Sequence, residues 1–283
     1  MFLLGVAAAI VAAILFNLGI ALQAIEARRA PKALGLKVGL LGHLLRRRIW
    51  LLGAALGAVG IVPQLVALAY APFAVVQTAL TAGLVLLLFI AVHYLGETVD
   101  RTALIGVGLL IAGVALVSSG APAHSESHRA ALAPVLVVAG TAIVGLSPFV
   151  LRKFGVEHGL LLAIASGVGF AGANIATKLA ADALGPGHWI NAAGWGVTLV
   201  VLGVAATLTS MSAIQRSTAT MVVPVSTGVQ TFLPVVLEPL FLQEHYRSFD
   251  TQMLPVISGV AISVVGVVLV GRDRAVSELA AGR

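Results

Sequence analysis

The sequence predicts an all-α polytopic membrane protein of about nine transmembrane helices in two inverted repeats. Apolar runs of spanning length recur along the whole chain, basic residues fall on alternate connections, and two distant stretches carry the same landmarks in the same order. Composition agrees. Apolar residues make up 59% of the 283 positions and charged residues 10%, with mean hydropathy +1.06. An ordinary soluble domain carries about 25% charged residues. With no cysteine, disulfides and thiolate metal sites are excluded, and the redox compartment stays open.

A helix crosses the hydrocarbon core in about 20 residues. The segments that qualify are Phe2–Gln23, Trp50–Tyr70, Phe73–Leu95, Thr102–Val117, Leu132–Leu151, Gly159–Ala181, Trp189–Ala213, Thr218–Leu242 and Met253–Val270. The first lacks a basic leader and exceeds a signal-peptide core in length, so it is expected to be retained. Ala33–Leu45 is too short to span and reads as an amphipathic surface segment, with a short tenth helix left open. With the N-terminus outside, the inner side receives Arg28, Arg29, Lys32, Lys37, Arg46, Arg47, Arg48, Arg101, Arg152, Lys153, Arg216, Arg272, Arg274 and Arg283. Only Arg129 and Arg247 fall outside, and Lys178 lies within the sixth span. This bias places a multi-pass chain in the plasma (inner) membrane with a cytoplasmic C-terminus. The net charge of +6 is thus an orientation signal, and no nucleic acid partner is expected. Trp50, Tyr70, Tyr94 and Trp189 sit at predicted helix ends, at headgroup depth.

Phe73–Glu97 and Thr220–Glu244 are each a long apolar helix stopped by a Glu, then a polar turn and a helix with glycines seven apart. These are Gly106/Gly113 and Gly259/Gly266, and the helices end Gly-Val-Ala-Leu-Val and Gly-Val-Val-Leu-Val. Phe16 with Asn17 and Gln23 likewise corresponds to Phe170 with Asn174 and Lys178. Residues 1–119, with the basic loop 24–49, form the first repeat; 120–158 hold a linker and the fifth span; 159–271 form the second repeat; 272–283 are a tail. The odd intervening span inverts the second copy. Such repeats surround a site near the midplane in transporters.

These landmarks resemble the drug/metabolite transporter superfamily (EamA-like). Ala67–Val117 is similar to its repeat: an Ala-Leu helix end, a turn, a long helix, a terminal Glu and a glycine-bearing helix. Members usually have ten helices. The nine-span count, the basic loop after the first span and Ser166–Leu179 look more like the NIPA-type branch, which is associated with magnesium transport. The resemblance implies transport of a small solute, with Mg²⁺ as the single best substrate. The superfamily also carries nucleotide-sugars, amino acids, drugs and other metabolites.

Ionisable groups within a membrane are costly and are functional candidates by default. Lys178 either snorkels outward beside Asp182 or faces a cavity, where it would attract an anion or respond to a proton. Glu238 is either a carboxylate bonded to a neighbouring helix or the ligand of a driving cation, and is the one metal-ligand candidate. Pro224 and Pro234 each remove a backbone donor from the eighth span, which is either a mobile, site-lining element or an ordinary helix with a packing kink. Its polar residues are Ser226, Thr227, Gln230 and Thr231; Gln77, Thr78 and Thr81 match them on the third span. Asn17, Gln23, Gln64 and Asn174 complete the expected pathway, with interhelical hydrogen bonding as the other reading of each amide. Glu97 and Glu244 end helices as caps or as gates. His124 and His128 would hold a metal only on a helical loop. No nucleophile–base set, phosphate loop or zinc motif is visible, so neither enzymatic activity nor a cofactor is expected. The expected partners are the bilayer and a small solute or Mg²⁺; a homodimer is left open. The function that follows is secondary transport by alternating access. The alternatives are an exporter of a small organic metabolite or drug and, remotely, a non-transporting scaffold.

Overall fold

Apolar runs in a bilayer must satisfy their backbone groups internally, which leaves helices as the solution for this chain. A computed structural model describes residues 1–71, 73–120, 132–155, 158–184, 187–241 and 253–280, with backbone alone at 68, 69, 73, 74, 181, 182, 184, 235, 238–241 and 272–280. The helices are α1 (Phe2–Arg29), α2 (Val38–Leu44), α3 (Arg48–Tyr70), α4 (Phe73–Ala82), α5 (Leu84–Leu95), α6 (Arg101–Gly120), α7 (Leu132–Leu151), α8 (Gly159–Leu184), α9 (Trp189–Arg216), α10 (Ala219–Phe241) and α11 (Leu254–Ala280). No strand occurs among the described residues. Among them, eight helical stretches are long and apolar enough to cross a membrane, one of them being Val75–Leu95 across α4 and α5. The remaining predicted span appears as α10, a 23-residue helix whose first eight residues, Ala219–Ser226, are all buried.

One expectation needs correcting and one is resolved. Of the two readings of the eighth span, α10 is a single helix continuous through Pro224 and Pro234. An interruption falls instead at Gly83, between α4 and α5, where a side chain would collide with the Asn17 amide of α1. Trp50 is not a headgroup anchor. It is buried in the main core, whereas Tyr70, Tyr94 and Trp189 are exposed as expected. The Glu97 stop is set one residue earlier, by Gly96 at φ +66°, a left-handed cap that costs glycine little.

The segment after α1 is folded onto the bundle. Leu40 and Leu44 lie one turn apart, so α2 presents a fully buried apolar edge, and Leu36 just before it is buried as well. Leu36 has φ +54°, unfavourable for a side chain with a Cβ. Both its backbone groups are held: its N–H donates to Ser212 Oγ at 2.9 Å, and Arg152 donates to its carbonyl at 2.7 Å.

Lipid tails are as apolar as leucine, so helices here associate through close backbone approach. α1 packs on α3 with Gly19 and Gly53 face to face: a Cβ on either would lie 2.5–2.6 Å from the other's carbonyl oxygen. α8 packs on α9, where Gly169 meets Ala206, and on α7, where Gly145 meets Gly169. α6 packs on α11 with Gly106 against Gly266 and Gly113 against Gly259, so the two helices run antiparallel. The Gly113→Ala variant would place its Cβ 2.7 Å from the Gly259 carbonyl oxygen, and is expected to cost about 1–3 kcal/mol. Gly108→Ala on the same helix, with open space around it, should be neutral or slightly stabilising. Equilibrium unfolding in mixed detergent micelles measures both.

Candidate functional site

The helix ends that the charge pattern assigns to one side do gather at one end of the bundle, the basic end. There Arg28, Glu97, Ser217 and the start of α10 meet, although they are far apart in sequence. A helix N-terminus leaves four N–H groups without intrahelical partners. In α10, Glu97 Oε1 and Oε2 each accept an N–H, from Ala219 and Thr220, both at 2.8 Å. The Met221 and Val222 N–H groups return to the Thr218 carbonyl at 3.2 and 2.9 Å. The carboxylate also pairs with Arg28, whose guanidinium reaches the carbonyls of Leu95 and Ser217. Glu97 is thus a buried anion neutralised by one cation and by the positive end of a helix dipole. This clasp joins the N-terminal spans, through α1 and the end of α5, to α10 in the C-terminal spans. Thr218, the residue type that normally caps a helix from this position, leaves its buried hydroxyl without a hydrogen bond, as does Ser217. Glu26 supports the same end, bonded to Arg29 and Arg47 at 3.1 Å each.

Away from this end the bundle loosens. Gly167 of α8 abuts Ser226 and Val229 of α10. Asn174 lies two turns further along the same face, yet it is exposed. Along α10, buried Ser226 gives way to half-buried Gln230, Thr231 and Pro234. Burial of the polar residues along α8 and α10 therefore falls with distance from the clasp.

Rise along the helix ranks the predicted pathway residues by depth. Asn17, Gln64, Gln77, Thr78, Thr81, Asn174 and Gln230 lie about 16–27 Å from the basic ends of their helices, a band from mid-depth outward. Lys178, half-buried, lies about 28 Å along. Gln23, Pro224 and Ser226 sit nearer the basic end, at about 8–10 Å. Buried Asn17 donates to the Ala13 carbonyl at 2.9 Å and fills the step at Gly83. Thr81 donates to the Gln77 carbonyl at 2.9 Å. Ser166 donates to Ser226 at 3.0 Å, joining α8 to α10. Gln23 packs against Gly53, so it serves the α1–α3 contact. Asn174 lies one turn from Lys178 on α8. The Glu238 side chain, and Glu244, His124 and His128 entirely, lie outside the described residues. Among the described residues, no group of three or more His, Asp and Glu converges as a metal site.

Arg28 and Gly83 are the site residues that sequence reading missed. Arg28 follows Ala21 and Ala24 on one helical stripe, and both are buried; that phase distinguishes it from Arg29. No family model, curated protein or solved structure matches the chain.

Truncating Glu97 to Ala leaves Arg28 and two α10 amides without their partner, and is expected to cost about 3 kcal/mol by unfolding titration. Arg28→Ala should cost much less in that background than alone, a coupling of about 1–3 kcal/mol. Thr218→Val should be nearly neutral alone, but cost about 1 kcal/mol once Glu97 is Ala, because the threonine hydroxyl then takes over the cap.

Proposed function

We propose that the chain is a secondary transporter that moves a small solute or ion by alternating access. The packing of α6 on α11 carries this reading. In the sequence correspondence Gly106 matches Gly259 and Gly113 matches Gly266. The observed contacts, Gly106 with Gly266 and Gly113 with Gly259, exchange with each other under that correspondence. A pair of equivalent helices meeting antiparallel at equivalent glycines is what a two-fold axis in the bilayer plane produces. The α1–α3 and α8–α9 pairs, and the packing of α1 on α4–α5 and of α8 on α10, follow the same relation. Inverted repeats of the drug/metabolite transporter type, nearest the NIPA-type branch, are the arrangement in which we place the chain.

In this reading the clasp of Arg28 and Glu97 on α10 is the closed inner gate, and the solute enters from the opposite end of the bundle. The positive-inside rule assigns the basic end to the cytoplasm. Mg²⁺ is the first substrate to test. A potential supplies about 2.3 kcal/mol per charge per 100 mV, and the ion keeps several waters while needing few protein ligands. The second reading is a small organic solute, favoured by the hydroxyl and amide character of the residues at mid-depth.

Purified protein in proteoliposomes should accumulate Mg²⁺ when the interior is made negative; flux of a neutral or zwitterionic metabolite without Mg²⁺ flux selects the second reading. Absence of either flux, across a broad panel, sinks the transport proposal. The chain has no cysteine, so single-cysteine labelling has no background. Ser226→Cys, buried in the parent, should label from the basic side several-fold faster when Glu97 is Gln. Equal rates in the two backgrounds would remove the gate.

A further inference from the structure

Lys32, Lys37, Arg152, Lys153 and Arg216 line one cavity of about 350 Å³ at the basic end, together with Ala33 and Gly35. No carboxylate is among its lining residues. Of the described carboxylates of this end, Glu97 pairs with Arg28 and the start of α10, and Glu26 with Arg29 and Arg47.

The cavity is built from three parts of the chain, and each is held in place. The Lys32–Lys37 rim is fixed by the clamped Leu36, at 2.9 Å from Ser212 and 2.7 Å from Arg152. Gln215 donates to the Ala30 carbonyl at 3.3 Å, which ties the same rim to the end of α9. Gly35 has a structural reason to be glycine. A Cβ there would lie 3.2 Å from the Lys32 carbonyl oxygen and 3.3 Å from both Arg216 Nη2 and Gln215 Oε1. The Arg152 guanidinium spans the gap, bonded to the rim while lining the cavity. The lining carries five basic side chains and, among the described residues, no acidic one, so an anion entering it meets concentrated positive charge.

We infer that this cavity is a binding site for a phosphate-class anion at the basic membrane interface. Arg152 and Arg216 bring guanidinium groups, the donor type that matches phosphate oxygens, to the lining, and three lysines add mobile charge. The volume is at the small end of ligand pockets, suited to a phosphodiester headgroup or a diphosphate and too small for a macromolecule. The site is separate from the pathway between the helices and does not depend on the transport reading. The phosphate could belong to an anionic lipid or to a soluble compound.

The test uses the full chain in neutral detergent. One arm measures pyrophosphate binding by calorimetry; the other measures retention of phosphatidylglycerol over phosphatidylcholine by native mass spectrometry. The pocket variant is Lys32→Gln with Lys153→Gln. The control is Arg46→Gln with Arg48→Gln, the same charge change at exposed positions outside the lining. The parent should bind at least one probe, the pocket pair should weaken that binding about tenfold or more, and the control pair should change it less than about twofold. Lipid retention alone assigns the site to headgroups, and pyrophosphate binding alone to soluble anions. An equal loss in both pairs, or no binding of either probe by the parent, overturns the inference. Unchanged elution and melting of the variants ensure that the readout is binding and not unfolding.

Discussion

The rest of the architecture hangs on the antiparallel crossing of α6 and α11. Between Gly106 and Gly266, and again between Gly113 and Gly259, a Cβ would fall within 3 Å of the opposite carbonyl. In lipid no apolar surface is hidden from water when such helices meet, so the contact rests on dispersion between closely fitted backbones. That makes it sharply dependent on distance. Two such points, seven residues apart on each helix, fix separation and register together. The other contacts along these helices follow from that register, including Leu110 packed beside Gly228 of α10.

Gly228 brings the crossing to the central helix. α10 is buried around its whole circumference at the basic end and half-exposed further along. A helix buried in that way has no water for its terminal amides, so the fold must supply acceptors. Glu97 does so from a segment more than a hundred residues earlier, and Arg28 balances its charge. The same few atoms therefore satisfy a backbone requirement, close one end of the bundle and bind its N-terminal spans to its C-terminal ones. Polar satisfaction and closure are one interaction, and the second cannot be altered without disturbing the first.

Much of the fold was legible from the chain because the signals were one-dimensional. Leu132–Leu151 is observed with its predicted bounds, and most other predicted spans differ by a few residues at an end. Hydropathy and charge alternation suffice for that. What could not be read is relational. Position 83 admits only glycine because Asn17 of another helix occupies the space a side chain would need. α10 continues through two prolines that local rules count as breakers, only the first of them fully buried. Trp50 looked like an interfacial aromatic, but the segment before it folds over and buries it. The site divides in the same way. The depth band of amides and hydroxyls follows from helical rise, whereas the pairing of Glu97 with Arg28 depends on where two loops land.

The unused hydroxyls of Ser217 and Thr218 show how such a clasp can be both firm and reversible. A carboxylate pair with arginine in a dry site would be very costly to break if the amides it serves had no other partner. Thr218 stands at the position from which threonine caps a helix, and its hydroxyl is buried without a hydrogen bond. Should Glu97 withdraw with Arg28, the α10 amides have a local acceptor, and the pair leaves as a neutral unit instead of as an exposed charge. In the proposed transport cycle the threonine hydroxyl, a weaker acceptor than the carboxylate, keeps the closed state favoured while narrowing its gap to the open one. On the transport reading, a gap of that size is what lets a modest difference in solute affinity shift the balance between closed and open ends.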